Sequence, residues 1–341
     1  MTDLDMENII RKIDAELWKT IVASPFGRID YDRLLAHDPT RIRREEQVLS
    51  LEEGIPDIPS KLELENIQIP SSDKGRDIRL RIYKPKGKGL LPILLYFHGG
   101  AFIYGTPEQY DSIFFRLAID TEMLIVSVDY RLAPEHPFPA GMEDGYDALQ
   151  WLAIYADQIG GDKANILIGG SSAGATVAAS ITHLARDQNF VKIRHQYLLY
   201  PPMSHRLQTA SMQDLAHAPM QTKAAATWMW KHYLQDAIHP PPYAVPLLEA
   251  NFKNLPDATI IVCELDPLKD EGIMYGQQLK DAGAFVHVLE IQGAVHAFDF
   301  FACALTDTFY KQQVDIFKQI LKSRRSAAVS PTSAIIKKQL N

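Results

Sequence analysis

The sequence predicts an α/β protein: a mostly parallel, eight-stranded sheet flanked by helices, with a helical cap. Three observations carry this. "LELENIQI" and "RDIRLRIYKP" alternate polar and apolar residues, as half-exposed strands do. "LLPILLYFHGG" is then a near-continuous apolar run, the mark of a strand covered on both faces. From there, strand-like and helix-like segments alternate to near the end of the chain, the pattern of parallel strands joined by helical crossovers.

In chain order, residues 1–45 read as helical, with "ENIIRKIDAELWKTIVA" placing apolar residues three and four apart. After the two alternating strands and the apolar run come the strand "MLIVSVDYR" and the amphipathic helix "AGMEDGYDALQWLAIYADQI". The strand "ANILIGG", the helix "AGATVAASITHLARD" and the strand "HQYLLYPP" follow. The series closes with the strand "ATIIVCELDP", the helix "GIMYGQQLKDAG", the strand "FVHVLEIQG" and the helix "TFYKQQVDIFKQILKSRR". Residues 202–245 break the rhythm with helical stretches and no strand, too long for an ordinary connection, so an inserted lid is expected there. The tail, 323–341, has Ser, Pro and few large apolar residues and reads as loosely ordered.

Composition narrows the function. The net charge is −7 and no dense basic run occurs, which argues against nucleic acid as a partner. Two cysteines, Cys263 and Cys303, do not make a disulfide framework and fit a reducing compartment. The acidic, amphipathic N-terminus lacks the basic and apolar regions of a secretory signal. No apolar stretch is long enough to span a bilayer, so no stable membrane insertion and a cytoplasmic location are expected.

The chemistry centres on Gly170-Ser171-Ser172-Ala173-Gly174, between a strand and a helix. A sharp strand-to-helix turn strains its central residue and needs small neighbours. Ser172 has glycine two residues away on both sides; Ser171 has Gly169 and Ala173, a poorer match. Ser172 is therefore the candidate nucleophile. A dinucleotide fingerprint needs a different glycine spacing, and a phosphate-binding loop needs Gly-Lys-Ser/Thr. "FHGGAF", residues 97–102, supplies glycines after a strand, where backbone N–H groups can turn toward a developing oxyanion; the N–H of Ala173 is its second half.

A nucleophilic serine needs a base and an orienting carboxylate, in the order Ser, Asp/Glu, His for this kind of turn. Of eleven histidines, His98 lies in the oxyanion loop and His136 in a Pro-rich turn. His183 is on the helix after the turn, four more lie in 202–245, and His287 sits within a strand. His296, after the last strand and a glycine, is the candidate base. Asp266, at the end of "IIVCELD", is the candidate orienter, with Glu264 as the weaker rival. Asp270 and Glu271 begin a helix, where negative charge is favourable.

With these places in hand, the chain resembles the hormone-sensitive-lipase-like branch of the α/β-hydrolases. "HGGAF", "YRLAPEHPFPA", "GGSSAGA", "DPLKDEG" and "GAVHAF" stand in that family's order over most of residues 60–322. The resemblance implies an α/β-hydrolase core (46–201 and 246–322) and a cap from 1–45 and 202–245. It implies a carboxylesterase-type serine hydrolase acting on small to medium esters, without cofactor or metal; the apolar "TWMW" of the lid, 227–230, suggests hydrophobic ones, unless Met229 and the tryptophans only pack. Ser172 would be nucleophile, His296 base and Asp266 orienter; the N–H groups of Gly100, Ala101 and Ala173 would form the oxyanion hole, with Gly99 shaping the loop. Ala101 stands where the family has a third glycine, and Ser171 where it usually has Asp. These departures keep open a biosynthetic variant performing amide hydrolysis, dehydration or cyclisation. Non-catalytic receptors that resemble this family lack the histidine that "GAVHAF" retains. A homodimer is compatible with the sequence.

Overall fold

The computed structural model describes residues 3–54, 56–87, 89–235, 237 and 239–323; the expected loose tail falls, but for residue 323, outside the described residues. Its strands are β1 (Leu62–Pro70), β2 (Asp77–Pro85), β3 (Leu91–Phe97), β4 (Leu124–Val128), β5 (Gly161–Ser171), β6 (His195–Leu199), β7 (Asp257–Cys263) and β8 (Val286–Ile291). They form one sheet in the order β1-β2-β4-β3-β5-β6-β7-β8. β2 pairs antiparallel with β1 and β4, and every other pairing is parallel. The split follows the sequence: β1 keeps several exposed positions, whereas β4 and β6 are buried throughout.

The helices are α1 (Asp3–Ile10), α2 (Ala15–Ala23), α3 (Tyr31–His37), α4 (Arg41–Glu53), α5 (Asp111–Thr121), α6 (Ala140–Tyr155), α7 (Ala173–Gln188), α8 (Ala210–Asp214), α9 (Lys223–Leu234), α10 (Lys269–Asp281) and α11 (Ala304–Lys322). Cores form on both faces of the sheet. On one, Phe114 and Phe115 of α5 pack with Phe317 of α11 and Leu17 and Ile21 of α2. On the other lie Leu149 of α6, Val177 and Ile181 of α7 and Leu279 of α10. Burying one such side chain contributes about 1.5–3 kcal/mol, so the sheet is anchored from both sides.

The N-terminal periodicity is one run in the sequence and two helices in the structure. Asp14 divides it: its Oδ1 accepts from the N–H groups of Glu16 and Leu17, each at 3.0 Å, capping α2. The Asp14 N–H meanwhile donates to Gly293 O at 3.0 Å, tying the break to the loop after β8. Helix α4 crosses residue 45 and continues to 53.

Residues 202–245 hold α8 and α9 and, among the described residues, no strand. Two carboxylates of α10 fix the start of this segment. Glu271 Oε2 accepts from Met203 N–H and Ser204 N–H, both at 2.9 Å, and Asp270 Oδ2 accepts from Ser211 N–H at 2.8 Å. Their main work is across the fold, beyond the local role expected of acids at a helix start.

Register places the site. β3 and β5 are aligned so that Phe97 faces Gly170; Ser171 pairs with Leu199, and Cys263 with Ile291. The loops after β3, β5, β6, β7 and β8 therefore leave one carboxyl edge side by side, where ligands bind in open α/β sheets.

Candidate active site

Ser172 stands between β5 and α7 with φ 50° and ψ −127°, a strained conformation for a residue with a Cβ. The turn is tight enough to explain its glycines. A Cβ on Gly170 would lie 2.4 Å from the Gly174 carbonyl, and one on Gly174 would lie 2.1 Å from Phe97 O. Ser172 N–H donates to Leu199 O at 2.9 Å, pinning the turn to β6.

The side chain of Ser172 meets His296: Oγ to Nε2 is 2.9 Å. His296 Nδ1 lies 2.6 Å from Asp266 Oδ2, and Asp266 Oδ1 accepts from Leu268 N–H at 2.9 Å. Asp266 is fully buried, while Ser172 and His296 keep 8 % and 5 % exposure, so the line opens to the cavity at its serine end. Tyr200 presses on the His296 ring, centroids 4.7 Å apart, and donates its O–H to Asp299 at 2.7 Å. The rival Glu264 points elsewhere and accepts from Gly293 N–H at 2.8 Å. The other histidines do not reach Ser172. His98 is buried, stacks on Tyr130 at 4.4 Å and places Nδ1 2.7 Å from Gly99 O.

The loop after β3 turns through Gly100 (φ 118°), Ala101 (φ 53°) and Phe102 (φ 62°). A Cβ on Gly100 would lie 2.0 Å from Tyr104 O, so only glycine suits that position. Ala101 holds a left-handed conformation more easily taken by glycine, and its methyl lines the cavity. Among the described residues, the N–H groups of Gly100, Ala101 and Ala173 have no protein acceptor. Gly99 differs: its N–H donates to the Tyr110 O–H at 3.1 Å. Gly99 thus braces the loop, and its donor is not free for an oxyanion.

Ser171 takes part in that brace. Its hydroxyl is fully buried and shares a short hydrogen bond with the Tyr110 phenol. Where the family usually keeps an acid, this chain has a neutral hydroxyl joined through Tyr110 to Gly99. Behind the loop, Phe102 stacks on Tyr233 at 3.7 Å and lies 5.6 Å from Trp230. Met229 and Trp230 are buried in this packing and do not line the cavity. Arg43 of α4 clasps the loop's far end: Nε donates to Ile103 O at 2.6 Å and Nη2 to Ala133 O at 2.8 Å, while Glu135 pairs with the same guanidinium.

Ser172, His296, Gly99, Gly100, Ala101 and Ser171 line one cavity of about 280 Å³. Its outer wall comes from the N-terminal helices and the 202–245 segment: Phe26, Tyr31, Glu46, Met220 and Gln221. Motif reading passed over Tyr31, Glu46, Tyr104, Gln109, Tyr110 and Tyr200. The reading of residues 1–45 as helical, and as part of a cap, included Tyr31 but stopped one residue short of Glu46. Glu46 is 7 % exposed; Tyr31 O–H donates to it at 3.0 Å and Gln109 Nε2 at 2.9 Å. Burial pushes its carboxyl up to about 7. Among the described residues, no group of three or more Asp, Glu, His or Cys could hold a metal ion.

A strained serine after the fifth strand, a histidine after the last, and a carboxylate between them in sequence form one hydrogen-bonded line at the carboxyl edge of the sheet. Residues 94–300 match the alpha/beta hydrolase fold family, and the chain belongs to it. Esterase LipI of Mycobacterium tuberculosis is 36 % identical over 291 residues, covering 84 % of this chain and 88 % of that one. An arylesterase of Saccharolobus solfataricus is 33 % identical, covering 70 % of this chain and 75 % of its own. Among solved structures, a bacterial heroin esterase superposes with a TM-score of 0.84 at 29 % identity, over 92 % of this chain and 99 % of that one. Among the described residues, no helix is long and apolar enough to cross a membrane.

Proposed function

We propose that this chain is a serine carboxylic ester hydrolase with Ser172 as nucleophile, His296 as general base and acid, and Asp266 as orienter. The observation that carries the reading is the continuous line from Ser172 Oγ to His296 Nε2 (2.9 Å) and from His296 Nδ1 to Asp266 Oδ2 (2.6 Å), opening into the cavity. His296 takes the Ser172 proton as Oγ attacks the ester carbonyl. The resulting oxyanion is held by the N–H groups of Gly100, Ala101 and Ala173, which are preorganised and lack protein acceptors among the described residues. His296 then passes its proton to the departing alkoxide, and the C–O bond breaks. Water, giving its proton to His296, attacks the acyl-enzyme, and collapse returns the proton to Ser172 and releases the acid.

A cavity of about 280 Å³ with aromatic walls suits small to medium, largely apolar esters. The N-terminal segment that holds α3 and α4 and residues 202–245 act together as the cap, since both supply the outer wall. Two free cysteines, one of them buried, support a reducing, cytoplasmic location.

An organophosphate probe tests the reading. The expected result is a single adduct on Ser172 by mass spectrometry and loss of ester hydrolysis in Ser172→Ala. Full esterase activity in folded Ser172→Ala would overturn it. With p-nitrophenyl esters of rising acyl length, efficiency should peak at short chains and fall as the acyl group outgrows the cavity.

A further inference from the structure

Glu46 is a buried acid in the substrate cavity with, among the described residues, no positive partner. Its two hydrogen-bond donors, Tyr31 and Gln109, are neutral. The arginines of its own helix are committed elsewhere: Arg41 to Glu45, Arg43 to Glu135 and Arg44 to Asp38. The other carboxylate on the wall, Glu108, already pairs with Arg79 and Arg81. Among the described residues, no lysine or arginine lines the cavity. An ionised carboxylate buried without a counter-charge is costly, and that cost shows in its carboxyl being raised to about 7. A cationic ligand would supply the missing charge.

The surroundings of Glu46 suit an organic cation. Tyr31 and Tyr104 both line the cavity, their rings 5.6 Å apart and tilted by 32°, and Phe26 lies on the same wall. Aromatic faces beside a carboxylate form the environment that binds ammonium groups, through the ring quadrupole as well as the charge. An inorganic cation would find only one free carboxylate here and no cluster of ligands.

We propose that Glu46, with Tyr31 and Tyr104, selects ester substrates that carry a quaternary or protonated amine, holding the cationic end under the N-terminal helices while the ester lies at Ser172. This rests on the ester-hydrolase reading for its chemistry, although binding of the cation does not depend on turnover. Glu46 acts through charge on a part of the substrate remote from the reacting carbonyl.

The test compares acetylcholine with its uncharged isostere dimethylbutyl acetate, in which a quaternary carbon replaces the nitrogen, at about pH 8, where the carboxylate is ionised. Wild type should favour the cation by about tenfold or more in kcat/KM, mostly through KM, and Glu46→Gln should bring the ratio to about one. In wild type alone, choline should inhibit p-nitrophenyl acetate hydrolysis competitively, and dimethylbutanol much more weakly; this arm holds even if the variant fails to fold. Equal efficiency with both esters, or an unchanged ratio in folded Glu46→Gln, overturns the proposal and leaves the hydrolase reading standing. Selective binding of choline by calorimetry with no hydrolysis of any ester overturns the hydrolase reading and supports the cation site.

Discussion

The Ser171 hydroxyl and the Tyr110 phenol share a short, buried hydrogen bond, and the same phenol oxygen accepts the Gly99 N–H at 3.1 Å. Ser171, the residue before Ser172, is thus wired through Tyr110 to the first glycine of the loop after β3. Tyr110→Phe keeps the ring and removes the link, leaving a buried N–H without its acceptor. The expected result is a drop of about 10–100-fold in kcat with KM within about threefold, since the N–H groups lose their aim chiefly in the transition state. A fall in Tm with kcat retained would mean that the link is structural only.

Asp266→Asn preserves shape while removing the carboxylate that, on the proposed mechanism, orients His296 Nδ1–H. Ester hydrolysis should fall by about 10³–10⁴-fold at neutral pH, as expected when the imidazole is held in the wrong tautomer. Circular dichroism and Tm check that the fold persists. Retention of more than a tenth of the activity would point to Glu264 or another acid as the orienter.

Asp144 of α6 is fully buried and meets Arg131 of the "YRLAPEHPFPA" segment at 2.9 Å, with Arg76 as a second partner. Arg131 N–H also donates to its Oδ2 at 2.9 Å. Asp144→Ala strands these groups and should destabilise by about 3–5 kcal/mol. Urea denaturation followed by tryptophan fluorescence measures it. A change under about 1 kcal/mol would show that water rescues the arginines.

Glu271 is fully buried, and burial pushes its carboxyl up to about 8. A carboxyl whose folded value is raised holds a proton that the unfolded chain has already released. Stability from this group is present at and below the ordinary carboxylate range and declines as pH rises toward 8. Between about pH 5 and pH 8 the Tm of wild type should therefore fall relative to that of Glu271→Gln, which mimics the protonated form. Parallel slopes in the two proteins would exclude Glu271 as the source.

The sheet was legible because each strand announces itself locally: apolar runs of strand length, bounded by Gly or Pro, alternate with helical spacing. The same holds for the turn around Ser172, where Gly170 and Gly174 leave room that no larger side chain could. The wall of the cavity was not legible. Glu46, Gln109 and Tyr200 come from three distant parts of the chain and meet only through tertiary packing, so no spacing marks them. The helix break at Asp14 was hidden for a related reason: apolar periodicity runs through it, and the cap that interrupts it is a single side chain. Glu271 looked like a helix-start acid because its partners, Met203 and Ser204, belong to another segment.

Arg43 fastens one of the covering helices to the backbone of Ile103, in the loop that holds the proposed oxyanion donors. On the proposed mechanism, admission and turnover would consequently be moved by one lever. A substrate bulky enough to push α4 outward also drags on Ile103, and so slackens the very peptide groups that would steady its charge. Size discrimination in this protein would then register twice, once as poorer entry and again as slower chemistry for whatever does enter.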